Sequence, residues 1–244
     1  MTGTRRNDIV DLLLDEINNI GKDGDENPTE LKKEDIDLEL ALISNALIFF
    51  FAGFDTTSFT LATVIYSFLN KPAIQERARQ EINEVIGDSK TITAEHLQDL
   101  KYCENVINEA LRFYGIVNNV MRICTKDYKI PDTDFTIRKG MMVNVLSNCF
   151  ASECFFNPEE LDPDNFDPSN NPNKFGFTGF GHGPRNCIGM RYAYITVKLA
   201  IVKTLTKYRV VKCEETVDKL EFNFTTNYFK GGIKFKVECL DTEE

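Results

Sequence analysis

The longest apolar feature of the chain runs from Leu40 to Phe54 without a charge, meets Asp55, and continues uncharged from Thr56 to Asn70. A membrane span would have this length. However, Asp55 would then sit at mid-bilayer, where a carboxylate is expensive, and Ser44, Asn45, Thr56, Thr57, Ser58, Thr60 and Thr63 add further polarity. A long helix through a protein core fits this mixture better. At about 1.5 Å per residue it would cross a whole domain.

Shorter helices are expected on either side. Residues 5–20 place Ile9, Leu13, Ile17 and Ile20 on one stripe, ahead of a polar loop at 21–35. Lys71–Gly87 is a second helix, with Pro72 in its first turn, Ile74, Ala78, Ile82 and Val85 on its apolar face, and Gly87 as C-cap. Thr93 can N-cap a short helix leading to His96 and Leu100, and Lys101–Tyr114 repeats an apolar stripe through Cys103, Ile107, Ala110, Leu111 and Tyr114. The texture then becomes β-like at Tyr128–Ile130, Phe135–Ile137 and Met142–Val145. Asn157–Asn173 is a Pro- and Asn-rich loop, and Ile188–Tyr208 is helical again. Two alternating strands, Leu220–Phe224 and Ile233–Val237, flank Gly231–Gly232. The expected fold class is mainly α with small β-sheets (α+β), in one domain.

Composition narrows the possibilities. The 244 residues carry 28 Lys plus Arg against 38 Asp plus Glu, a net charge of −10 that argues against nucleic-acid binding. With 42% hydrophobic and 27% charged residues, wholesale disorder is excluded. Seven scattered cysteines without a CxxC pair suggest neither a disulfide framework nor a zinc site, and point to a reducing compartment. Residues 1–39 are rich in charge and lack the apolar stretch of a signal peptide.

The densest chemistry lies in Phe180-Gly-His-Gly-Pro-Arg-Asn-Cys-Ile-Gly189. Cys187 directly precedes a predicted helix, whose N–H groups and dipole would stabilise a thiolate able to bind iron. Gly181 and Gly183 permit a tight loop, and Gly189 would let the helix run close to a flat macrocycle. Arg185 offers a donor fork for a carboxylate, and Phe180 can shield the sulfur from water. Competing readings are a buried cysteine acting as a small hydrophobe, and a phosphate-cradling glycine loop. The second fails because no Lys-Ser/Thr follows and the GxGxxG spacing is absent.

The spacing F-x-x-G-x-R-x-C-x-G resembles the cytochrome P450 family of heme-thiolate monooxygenases. Ala52-Gly-Phe-Asp-Thr-Thr57 is similar to that family's [A/G]-G-x-[D/E]-T-[T/S] motif, and Glu109-Ala-Leu-Arg112 to its E-x-x-R motif, in the family's order. The resemblance implies a heme held by the Cys187 thiolate, with Phe180, Gly183, Arg185 and Gly189 around it and Arg122 as a second propionate partner. It implies that Gly53 leaves room for O2, and that Asp55 and Thr56 relay protons so that O–O cleavage wins over peroxide release. It also implies a buried Glu109–Arg112 pair behind the loop. Where the family completes that cluster with an arginine, this chain has Asn165 in Pro163-Asp-Asn-Phe166, so the loop is expected to be less firmly fixed. Tyr114-Gly-Ile-Val-Asn-Asn119 replaces a usual proline-rich segment, which leaves the substrate open.

By the same resemblance, residues 1–244 correspond to the C-terminal part of a microsomal-type member, with the N-terminal half and membrane anchor absent. The implied activity inserts one oxygen atom of O2 into an apolar organic substrate, with electrons from NADPH through a reductase partner. The implied place is the cytosolic face of the endoplasmic reticulum membrane. Membrane association would run only through the missing N-terminal segment, and the chain would be soluble without it. The alternative is a non-catalytic truncated fragment, inert or acting as a binding or interaction protein.

Overall fold

The computed structural model describes residues 8–9, 11–12, 14–15, 38–115, 119–146, 154–170, 175–223 and 228–240. The chain divides into two compact units, Met1–Asp55 and Thr56–Glu244, whose boundary falls inside one long helix. In the first unit, Ile9, Asp11, Leu12, Leu14 and Asp15 are helical, begun by Asp8, whose side chain accepts from the Asp11 N–H. The rest of the expected stripe at Leu13, Ile17 and Ile20, and the 21–35 loop, lie outside the described residues.

Helix α1 (Leu38–Asn70) forms as its uncharged run requires. Its burial divides it in two. From Phe59 to Leu69 it is core, with Val64 and Phe68 fully enclosed and Thr60, Thr63 and Ser67 each donating to a carbonyl about one turn back. In the first unit, by contrast, Leu40, Ile43, Leu47, Ile48, Phe50, Phe51 and Phe54 are exposed. The expectation of a helix buried along its length therefore holds only beyond residue 58. Ile43–Asn70 is also long and apolar enough to cross a membrane, although its later turns are already packed in the second unit's core.

In the second unit, helix α2 (Pro72–Ile86) starts on Pro72 and ends at Gly87, whose φ of +53° suits glycine and whose N–H returns to Asn83. Helix α3 (Ala94–Asp99) is capped reciprocally: Thr93 Oγ1 accepts from the His96 N–H, and His96 Nδ1 accepts from the Thr93 N–H. Helix α4 (Lys101–Tyr114) has the expected bounds. The Glu81 carboxylate on α2 accepts its first N–H groups, from Tyr102 and Cys103. Helix α5 (Met190–Leu205) follows the cysteine loop. These helices share one core, in which Ile82, Leu100, Ile107, Ile201 and Leu205 are among the fully enclosed side chains.

Among the described residues the sheets are small antiparallel pairs. They join β1 (Asn119–Ile123) to β4 (Met142–Leu146), β2 (Tyr128–Lys129) to β3 (Thr136–Ile137), β5 (Tyr208–Val211) to β8 (Lys236–Cys239), and β6 (Phe222–Asn223) to β7 (Tyr228–Phe229). Two expectations are corrected here. The last helix stops at Leu205 rather than Tyr208, because Arg79 on α2 donates to the Leu205 and Tyr208 carbonyls, and the β-branched Val210 and Val211 go to a strand. Among the described residues the tail strands expected at Leu220–Phe224 and Ile233–Val237 are instead Phe222–Asn223, paired with Tyr228–Phe229, and Lys236–Cys239, paired with Tyr208–Val211. Alternation marks a strand without naming its partner, and here each segment pairs elsewhere.

Candidate functional site

Residues 180–190 form a tight loop. The Cys187 N–H donates to the Phe180 carbonyl at 2.7 Å, a short 3-10 turn spans Gly183–Arg185, and the Asn186 N–H closes it on Gly183. Gly181 and Gly183 have φ of +69° and +78°, a region that any side chain would strain. A Cβ added to Gly189 would lie 3.9 Å from Cys187 Sγ, so the helix start runs close beside the sulfur. Gly189 is the N-cap of α5, which puts the positive end of a 16-residue helix beside the thiol.

Cys187 is exposed, and its neighbour Ile188 is 84% exposed. Arg185 is exposed as well, and Arg122, on β1, reaches over so that its Nη2 donates to the Arg185 carbonyl at 3.4 Å. Phe180 is half-buried, resting on Tyr194 of α5 with ring centroids 5.0 Å apart. His182 Nε2 lies 2.8 Å from the Phe177 carbonyl. The six described cysteines are free thiols, and Cys149 lies outside the described residues. Among the described residues no group of three His, Cys, Asp or Glu side chains could hold a bare metal ion. An exposed sulfur at a helix start, left-handed glycines, an exposed Arg185 and the Arg122 guanidinium against the Arg185 backbone form a donor set that fits a planar, carboxylate-bearing iron macrocycle.

On α4, Arg112 grips Glu109 with two bonds of 2.7 Å, Nε to Oε2 and Nη2 to Oε1, and both side chains are enclosed. Arg112 also donates to the Pro158 and Glu160 carbonyls. Glu109 Oε1 accepts the Asp162 N–H at 2.7 Å and the Asn165 amide at 3.1 Å. Burial pushes the Glu109 carboxyl above its ordinary range, while Arg112, the Asp162 N–H and the Asn165 amide pull it back. Asn165 makes two further bonds with the Asn157 backbone, which tie the 157–166 turn at both ends. Arg77 on α2 adds bonds of 2.7 and 2.9 Å to Asp164.

The third motif lies where the two units divide: Asp55 closes the first and Thr56 opens the second. Asp55 is half-buried and Thr56 is exposed, so the acid is not enclosed as the sequence alone suggested. The Thr56 carbonyl accepts the Thr60 hydroxyl. Several residues escaped the sequence reading. The strand carrying Arg122 was not foreseen, and neither were Glu81, Tyr194 or Lys198. Such side chains acquire a role only from a partner far along the chain.

Against known proteins, the family model described as Cytochrome P450 matches residues 2–235. The chain is 34% identical over 91% of its length to Probable cytochrome P450 6w1 of Drosophila melanogaster, covering 44% of that protein. It is 34% identical over 91% of its length to Cytochrome P450 3A7 of Homo sapiens, covering 43% of it. Lithocholate 6-beta-hydroxylase of Mesocricetus auratus is also 34% identical, over 89% of this chain and 42% of its own length. The chain thus spans less than half the length of these relatives. With a match running almost from end to end over a helical core with small sheets, the chain belongs to the cytochrome P450 family and has that family's α+β fold.

Proposed function

We propose that the protein is a heme-thiolate monooxygenase that inserts one oxygen atom of O2 into an apolar organic substrate, with electrons from NADPH delivered by a reductase. The observation that carries this reading is the Cys187 loop, with its exposed sulfur at the start of α5, left-handed Gly181 and Gly183, an exposed Arg185, and the Arg122 guanidinium on the Arg185 carbonyl. Cys187 would hold the iron through its thiolate, Arg185 and Arg122 would bind the propionate carboxylates, and Phe180 would limit water at the sulfur. Bound there, the heme supplies electron transfer and oxygen activation, with thiolate donation favouring O–O scission. Thr56 Oγ1 and the Asp55 carboxylate would hold protons and pass them on at their own oxygens. The hamster relative's name specifies a hydroxylase, which agrees with the reaction class. The cytosolic face of the endoplasmic reticulum, and correspondence to the C-terminal part of a longer member, belong to the same proposal.

A second reading, a non-catalytic binding protein, is favoured by one observation: Cys187, Ile188, and Leu40, Ile43, Leu47, Ile48, Phe50, Phe51 and Phe54 are exposed. One experiment separates the two. After heme addition, reduction and CO treatment, the full chain is expected to give the Soret band typical of thiolate-ligated heme, and Cys187→Ser to lose it. Absence of any heme absorbance would favour the binding protein.

A further inference from the structure

Helix α5 meets α4 along two matched rows. Tyr194 and Lys198, four residues apart on α5, face Asn108 and Glu104, four apart on α4. The Tyr194 hydroxyl donates to Asn108 Oδ1 at 2.6 Å, and Lys198 Nζ, itself buried, donates to Glu104 Oε2 at 2.7 Å and to the Leu97 carbonyl at 3.0 Å. Asn108 directly precedes Glu109 of the enclosed ion pair in the sequence of α4. On its other side the Tyr194 ring carries Phe180, and the Phe180 carbonyl accepts the Cys187 N–H.

We propose that Tyr194 is a positioning residue for the cysteine loop: its hydroxyl on Asn108 fixes the ring on which Phe180 rests, and thereby the backbone that holds Cys187. A phenylalanine would fill the same space but could slide, because dispersion contacts are weakly directional while an O–H···O=C bond is not. Burial also holds the Tyr194 phenol well above the usual range, so the hydroxyl remains a donor across ordinary pH. The functional meaning of this positioning rests on Cys187 being the thiolate ligand, whereas the mechanical coupling does not.

Two measurements on the full chain separate these parts. The first is amide hydrogen exchange at Cys187 in Tyr194→Phe, in Asn108→Leu and in the double variant, without heme. Exchange at Cys187 is expected to rise about fivefold, the size of one lost hydrogen bond, equally in all three, while Val202–Leu205 amides are unchanged. Unaltered exchange in the single variants, or a double effect equal to the product of the two, overturns the coupling. Asn108→Leu carries the test alone if Tyr194→Phe does not fold. The second measurement is the reduction potential of heme-loaded Tyr194→Phe, which should shift from that of the parent chain. An identical potential overturns the functional part. Failure of the thiolate assignment would show instead as an unchanged CO spectrum in Cys187→Ser.

Discussion

A carboxylate removed from water needs all its lone pairs answered, and at Glu109 the answer comes from a guanidinium, a backbone N–H and an amide. Glu109 and Arg112 already neutralise each other, so the neutral amide of Asn165 completes the hydrogen bonding without leaving an excess positive charge in the core. Removing either charged partner strands the other, and Glu109→Ala or Arg112→Ala should cost about 3–5 kcal/mol in urea unfolding. Asn165→Ala should cost about 1–3 kcal/mol, because it leaves the Asn157 N–H and one Glu109 lone pair unanswered. An Asn165→Ala midpoint equal to that of the parent would remove the amide from the structural account. At Thr56 the consequence is kinetic: Thr56→Ala should raise peroxide release relative to product, and unchanged coupling would remove the proton-relay role. The motif residues themselves were readable, because Glu109-x-x-Arg112 and the Cys187 spacing are local patterns. The substitution of Asn165 was readable too, but its effect was not, since that depended on where Asn157 and Asp162 come to rest.

Helix ends were also written locally. Pro72, Gly87 and Thr93 act within one turn of themselves and need no distant partner, so α2 and α3 could be placed from the sequence. Where an end is finished by another element, the boundary was lost, as at Leu205, whose carbonyl is taken by Arg79 on α2. The β5 strand shows the same dependence. Gln75 on α2 both accepts the Val210 N–H and donates to the Val210 carbonyl, so a helix side chain supplies the bonds of a missing sheet neighbour. Helix packing also changes titration. Burial pushes the Tyr102 and Tyr114 phenols on α4 up to about 12. Because the folded state keeps these groups neutral, their contribution to stability is complete below the ordinary tyrosine value near 10 and is lost as pH climbs toward 12. Ultraviolet titration should show two tyrosines ionising about two pH units late, with unfolding facilitated across that interval. Titration of both at the ordinary value would contradict their enclosure.

At the scale of the molecule, the two units differ in how they treat apolar residues. The second encloses them in one shared core, while the first leaves the residues from Leu40 to Phe54 largely open, with Phe50 67% and Phe54 62% exposed. Apolar faces of this kind promote self-association. Sedimentation of the full chain should therefore show concentration-dependent oligomers, and Phe50→Ser with Phe54→Ser should weaken association about thirtyfold, each half-covered ring contributing about 1 kcal/mol. A monomer at all concentrations would contradict this. What the residues alone settled was local in origin: helix periodicity, caps, the charge-free run of α1 and the spacing of the cysteine loop all act over a few positions of chain. Folding in three dimensions settled strand partners, the half of α1 that is covered, and the meeting of Arg122 with Arg185 and of Tyr194 with Asn108. Those outcomes depend on contacts between segments far apart in the chain, and local periodicity does not specify which distant segments meet.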